Sequence, residues 1–591
     1  MTATAPTTAP TATPSATTTP SATTTPSATP TVTTSDPADV AAPLDALLVE
    51  AALGPVRRLA PDLSTVRMLA SLATRPAVTA RRLGTLTAGL AQIALGTSTI
   101  TPSRRDRRFA DEAWTQNPLL RRLVQAYLAA GQTAQQLVAD ADLHWRDDQR
   151  ARFQVENLVE ALAPSNVPLL NPASAKAVVD TGGLNVVRGS TAFVRDMASA
   201  PRIPEMVDRT PFEIGRNIAV TPGAVILRTE VFELIRYAPR TPQVRRVPLL
   251  FVPPTINKYY AIDLAPGRSL VEYLVGQGEQ VFVVSWRNPQ AVHAEWNVDT
   301  YVQAILEAMD AAQRVTESEQ VALTGICAGG ILASMTAAYL AGTGQQDRLA
   351  AFSLFVTVLD NEEAGLAAAF VGPRMADLAK RMSRRRGYLD GSALAEVFAW
   401  LRPGDLVWNY WVNNYLLGNK PPAFDILFWN ADTTRMPAAM HADFIDIALE
   451  NRLVRPGAQT VLGVPVDLSR ITVDAYVIAG IADHITPWQN CYATTQLLGG
   501  TSRFVLSTSG HIAALVNPPG NPKATFQTAK DNPADPQAFL RAAESHDGSW
   551  WPDYDAWIAD RSGALVDAPQ RLGGRGLEPL ADAPGTYVFE T

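Results

Sequence analysis

Six times between residues 247 and 510 the chain carries a short run of almost wholly apolar residues, most of them followed by a stretch with helical character. The runs are VPLLFVPP (247–254), QVFVVSW (280–286), QVALTG (320–325), FSLFVTVLD (352–360), DAYVIAG (474–480) and RFVLSTSG (503–510). A strand with one wet face alternates apolar and polar residues. A strand apolar throughout needs cover on both faces, as in a parallel sheet between two helical layers. The alternation of such runs with helices therefore predicts a doubly covered α/β sheet within a domain spanning 231–591. Between about 361 and 465 the alternation lapses into a Trp-rich stretch that includes LRPGDLVWNYWVNNYLLGNKPPAFDILFWN. An insertion at that place, between two strands, reads as a cap over the carboxyl ends of the sheet.

Ahead of this domain lie two other kinds of text. Residues 1–40 are almost entirely Thr, Ala, Pro and Ser, have no apolar face to bury, and are expected to be disordered. Residues 41–230 carry apolar residues at three- and four-residue spacing, as in NPLLRRLVQAYLAAGQTAQQLV, and predict a mainly helical domain. A net charge of −7 over 591 residues, with no face-sized basic patch, gives no reason to invoke nucleic acid. The basic run KRMSRRR (380–386) reads as a solvated helix face rather than a phosphate site. Two cysteines, Cys327 and Cys491, cannot make a disulfide framework and suit a reducing cytosol. No apolar run reaches the ~18 residues of a membrane span, and the N-terminus lacks the basic and apolar regions of a signal peptide. No metal or cofactor site is expected.

The chemistry centres on Gly325-Ile326-Cys327-Ala328-Gly329-Gly330, which follows the run at 320–324 and precedes the helical ILASMTAAYLA. This is the nucleophile-elbow pattern G-x-S-x-G with Cys in the place of Ser. The flanking glycines are needed because side chains there would strike the neighbouring strand and helix. The turn also sets a helix N-terminus, the end that stabilises negative charge, beside the sulfur. The backbone N–H of Ala328 is one expected oxyanion donor, and Ile256 in the loop PPTINKYYAID, after the run at 247–252, is the other. On this fold the acid and then the histidine follow the nucleophile in chain order. Asp483 ends the strand DAYVIAG and His511 follows RFVLSTSG, so Cys327, Asp483 and His511 form the expected triad from three strand ends. His546 has no preceding strand of this kind. His484 is expected to support the acid's loop, and Cys491 to be a buried apolar residue.

At this point a resemblance enters. GICAGG, FVPPTINKYYAIDL, SWRNP, PPAFDILFWNADTTRMP, ADHITPW, SGHIAALVNPPGNPK and GSWWPDYDAW, together with DRRFADEAWTQNPL nearer the N-terminus, resemble the polyhydroxyalkanoate synthases, in wording closer to class II than to class I. The likeness runs from about residue 60 onward. It implies an α/β-hydrolase fold and an acyltransferase that polymerises (3R)-3-hydroxyacyl-coenzyme A with release of coenzyme A. Cys327 would be the acyl carrier, His511 its base, Asp483 the third member, and Asp263 a supporting or structural residue. It further implies a homodimer in the cytoplasm at the surface of polyester granules, with coenzyme A as part of the substrate rather than a cofactor. A Cys-dependent hydrolase on the same fold, and a catalytically dead granule protein, are the alternatives.

Overall fold

The computed structural model describes residues 51, 63–104, 106–361, 373–483 and 485–591. The tail at 1–40 and His484 lie outside the described residues. Eleven strands form one sheet: β1 (Gly223–Arg228), β2 (Phe232–Tyr237), β3 (Leu249–Val252), β4 (Val281–Trp286), β5 (Val321–Ile326), β6 (Leu349–Phe355), β7 (Ala475–Gly480), β8 (Ser502–Ser507), β9 (Thr525–Thr528), β10 (Glu544–Asp547) and β11 (Ala581–Asp582). Their spatial order is β11-β1-β2-β4-β3-β5-β6-β7-β8-β9-β10. The middle six, β4 to β8, pair in parallel. Antiparallel strands close both edges.

The parallel strands are buried residue by residue, as their unbroken apolar text requires. One apolar layer packs Leu323, Leu332, Ile305 and Met309 on one face, and the other packs Ala322, Ile326, Val283 and Leu274 on the opposite face. Helix Ala328–Gly342 has hardly a polar side to offer and is buried nearly all round between sheet and neighbours.

β1 lies within the stretch read as mainly helical (41–230), and β2 follows just past its end. The last helix before the sheet is Leu184–Ala198. The reason is legible in the side chains. Arg228, Glu233 and Arg236 break the apolar pattern of these strands, yet Glu233 is fully buried, its carboxylate accepting from Arg228 Nε at 2.7 Å, while Arg236 donates to Gln280 at 3.0 Å. β6 also differs from its expected range. It leaves the sheet at Phe355, where Val356 turns at φ +44° and Thr357 bonds back to the Phe355 carbonyl at 3.0 Å.

The insertion between β6 and β7 holds helices Pro373–Arg386, Gly391–Leu401, Asp425–Asn430 and Ala438–Leu449, with wider π-helical turns at Gly404–Trp408 and Trp411–Leu416. The N-terminal helices dock onto it. Helix Leu184–Ala198 lies so close to Trp411–Leu416 that a side chain at Gly189 would strike the backbone of Tyr415. Asn185 Nδ2 donates to the Leu416 carbonyl at 2.9 Å, and the Tyr415 hydroxyl to Asp196 at 2.9 Å.

A final segment runs from β11 back toward the centre. Thr586 and Tyr587 donate their backbone N–H groups to the Glu233 carboxylate at 2.8 and 3.0 Å. Glu590 accepts at its side chain from Arg287 and from the Asn288 N–H, and at its carbonyl from Lys258 Nζ. No helix among the described residues is long and apolar enough to cross a membrane.

Candidate active site

β5 ends in the elbow. Cys327 stands at φ +51°, ψ −122°, a conformation that costs an ordinary residue about 1–3 kcal/mol and survives only where the surroundings enforce it. They do so here. The Cys327 N–H donates to the Phe355 carbonyl of the adjacent strand at 2.9 Å, and its own carbonyl accepts from Gly330 N at 2.8 Å, opening helix Ala328–Gly342. The glycines have the predicted cause. A Cβ at Gly325 would stand 2.5 Å from the Gly330 Cα and 2.7 Å from the Ala333 Cβ. One at Gly329 would be driven into the carbonyls of Val252 and Pro253, where β3 passes into its loop.

The loops after β7 and β8 lie side by side. Ile481 N donates to the Ser507 carbonyl at 2.8 Å and Ala482 N to the Ser509 carbonyl at 3.2 Å. Asp483 is thereby carried to His511, the first residue of helix His511–Leu515. The indole N–H groups of Trp550 and Trp551 hold that helix from behind, donating to the carbonyls of Ala514 and Leu515 at 2.7 and 3.1 Å.

His511 Nδ1 and Asp483 Oδ2 are 2.7 Å apart, and Cys327 lies close enough to the His511 ring to favour its charged form. With Nδ1 committed to the carboxylate, Nε2 is the nitrogen left to face the sulfur. All three residues are buried. Burial resists the charged imidazole, but the Asp483 carboxylate and Cys327 outweigh it and push His511 up to about 10. Burial likewise favours a neutral Asp483; the charge on His511 and the donors of Thr486 hold it below the usual carboxylate range instead. The three expected triad members are thus brought together, buried, at the ends of β5, β7 and β8.

The expected oxyanion residues lie on the elbow helix and on the loop that begins where β3 packs against it. Ala328 is the first residue of the elbow helix, where backbone N–H groups lack intrahelical partners. Ile256 sits in the loop after β3, and that loop is sewn to the insertion. Thr434 N donates to the Ile256 carbonyl at 2.9 Å, and Trp429 Nε1 to the Lys258 carbonyl at 2.8 Å. Trp429 belongs to the same extended apolar cluster as Cys327 and Ile326, and it joins the insertion to the β3 loop.

Asp263 is placed apart from the triad's hydrogen bonds. It accepts from Thr221 at 2.5 Å, Ser269 at 2.7 Å and Tyr237 at 3.2 Å, a buried knot that ties β2 to the segment following the β3 loop. Burial raises its pKa against those donors. His546 lies in β10, bonded to Thr528 at 2.8 Å and stacked on Phe526, away from the relay. Cys491 is fully buried beside Trp488 and Tyr492, and burial pushes its thiol well up.

Sequence reasoning passed over Thr486, whose hydroxyl meets both Asp483 and His511. Its only signal was its place three residues after the acid. Trp429 and Lys258, which hold the β3 loop, had none, since their partners lie far along the chain.

Comparison with known proteins agrees with this geometry. The family model described as the poly-beta-hydroxybutyrate polymerase (PhaC) N-terminus matches residues 105–274, and the alpha/beta hydrolase fold model matches residues 250–518. Poly(3-hydroxyalkanoate) polymerase 1 of Ectopseudomonas oleovorans is 45% identical over 529 residues, covering 89% of this chain and 94% of that protein. Polymerase 2 of the same organism is 44% identical, covering 89% and 94%. The poly(3-hydroxyalkanoate) polymerase subunit PhaC of Cupriavidus necator is 40% identical, covering 84% and 85%. With such likeness along nearly its whole length, the chain belongs to the poly(3-hydroxyalkanoate) polymerase family.

Proposed function

We propose that this enzyme builds polyester from (3R)-3-hydroxyacyl-coenzyme A through an acyl group carried on Cys327. In loading, the Cys327 sulfur attacks the substrate thioester carbonyl, the bond from that carbon to the coenzyme A sulfur breaks, and the departing thiolate takes the proton held by His511. One thioester replaces another of nearly equal energy, so the acyl group stays activated. In elongation, His511 takes the proton from the 3-hydroxyl of an incoming unit, and that oxygen attacks the Cys327-bound carbonyl. The new ester forms as the bond to the Cys327 sulfur breaks. The lengthened chain, now ending in coenzyme A, reloads onto Cys327 and frees one coenzyme A per cycle.

The observation that carries this reading is the buried grouping of Cys327, His511 and Asp483 at three strand ends, beside a loop fastened to the insertion. A buried site keeps water from the acyl enzyme, which separates transfer from hydrolysis. Ala328 and Ile256 would donate to the oxyanion in both steps. The reading extends to a homodimer at a granule surface. Large apolar side chains left exposed on the N-terminal helices, among them Leu69, Leu95, Leu119, Val179 and Val194, support an apolar partner there. Coenzyme A enters and leaves as part of the substrate, and no resident cofactor is invoked.

The test follows coenzyme A release alongside insoluble polyester in wild type and Cys327→Ala. Wild type should give both and the variant neither while staying folded. Free hydroxy acid without polymer would mean a hydrolase, and coenzyme A release by Cys327→Ala within tenfold of wild type would remove Cys327 from the chemistry.

A further inference from the structure

We infer that Thr486 is a fourth member of the relay, a positioning residue that holds the Asp483 carboxylate in the orientation His511 needs. The inference rests on the triad reading above and adds a residue to it. The Thr486 hydroxyl donates to Asp483 Oδ2 at 2.6 Å, the same oxygen that receives His511 Nδ1 at 2.7 Å, and its oxygen stands 3.0 Å from that nitrogen. Three polar atoms thus close a triangle. The other carboxylate oxygen, Oδ1, accepts from the backbone N–H groups of Ile485 and Thr486 at 2.8 and 2.9 Å. Two donors on each oxygen fill the carboxylate's acceptor sites and prevent it from rotating. A rotated carboxylate would let the imidazole follow and carry Nε2 off the sulfur.

Thr486 is buried beside the carboxylate it bonds. The charged and titratable groups facing the triangle are His511 with Cys327 beyond it, and Cys491, which the field of Asp483 reaches. Cys491 holds no proton the relay needs, since burial keeps it a thiol and its sulfur only meets the Thr486 carbonyl at 3.8 Å. Removing the hydroxyl leaves Oδ2 with a single donor. The carboxylate is then easier to protonate, and its undivided charge grips the imidazolium harder. Both effects move the acid limb of the rate profile to higher pH.

Thr486→Val has the same shape without the hydroxyl, and Thr486→Ser restores it. Coenzyme A release is measured from (3R)-3-hydroxyoctanoyl- and (3R)-3-hydroxybutyryl-coenzyme A, beside His511→Ala. We expect Thr486→Val to lose about tenfold in kcat, the worth of one hydrogen bond to a charged group, with KM within twofold. Its acid limb should move upward and Thr486→Ser should recover most of the rate. Val turnover within twofold of wild type, an unmoved or lowered acid limb, or a Ser variant as slow as Val each overturns the inference while leaving the triad intact. An active His511→Ala overturns both.

Discussion

Replacing Gly329 by Ala should disable the site without unfolding the protein. The added Cβ would lie 2.7 Å from the Pro253 carbonyl carbon and nearer still to the carbonyl oxygens of Val252 and Pro253, where ordinary contact begins at 3.4 Å, so something must yield by about 1 Å. The obstructing atoms are backbone, and they open the loop that holds Ile256 and is fastened to Trp429 and Thr434. The elbow helix is buried against the sheet and has no room to retreat, so the β3 loop moves, taking with it Ile256, one of the two proposed oxyanion donors. A displacement approaching 1 Å at a catalytic group costs on the order of 10²-fold in rate, about 2.7 kcal/mol of transition-state stabilisation. Overpacking itself costs about 1–3 kcal/mol. At about 2.1 cal/mol/K per residue, a chain of this length then melts only a few degrees lower. The assay is initial coenzyme A release at saturating substrate, paired with a thermal melt. A folded Gly329→Ala enzyme turning over within threefold of wild type would refute the account of the loop as part of the catalytic apparatus.

Three further outcomes can be measured independently. Asp483→Asn should still acquire labelled acyl groups on Cys327 but make little polymer, because an alcohol needs the strengthened base more than a thiol does, whereas His511→Gln should do neither; equal loss of loading in rapid-quench labelling would contradict this division. Burial pushes Glu279 up to about 7 from an unfolded value near 4.5, so its neutral form supports the fold below pH 4.5 and that support is lost as the pH rises through 7, a cost of about 3 kcal/mol. Glu279→Gln should therefore melt a few degrees above wild type at pH 8 and level with it near pH 4.5, and a constant gap at both would show that Glu279 is not the cause. Gly84 stands exposed in helix Pro76–Leu95 with nothing within 4 Å of the place an added methyl would take, so Gly84→Ala should add about 1 kcal/mol of stability and leave turnover unchanged, as a melt and a rate assay would show.

What could be read from the sequence was local or periodic. The parallel strands announced themselves because burial on both faces demands unbroken apolar text. Cys327, Asp483 and His511 announced themselves because each falls at the end of such a strand, in the order this fold requires. β1 and β2 stayed hidden because their charged residues find partners only in three dimensions: Glu233 is satisfied by Thr586 and Tyr587, from the opposite end of the domain. The docking of helix Leu184–Ala198 on the insertion was hidden for the same reason. Asn185 and Leu416 meet across more than two hundred intervening residues, and neither Gly189 nor Tyr415 shows in isolation that their backbones touch. Thr486 lay in plain view beside the acid, but a threonine in a turn declares nothing until its hydroxyl is seen between two other groups.

The segment that binds Glu233 and Lys258 also sets a timetable. A ribosome delivers residues 586–590 after every strand of the sheet and every member of the relay. Until they arrive, Glu233 is a buried carboxylate short of two backbone donors, and Lys258, two residues beyond Ile256, has no carbonyl of Glu590 to hold. A nascent chain can therefore bring Cys327 and His511 together, with the β3 loop already fastened at Thr434 and Trp429, before the Lys258 side chain gains its partner at Glu590. That clasp is thus the last of the loop's fastenings that synthesis supplies, a seal laid over a frame already standing.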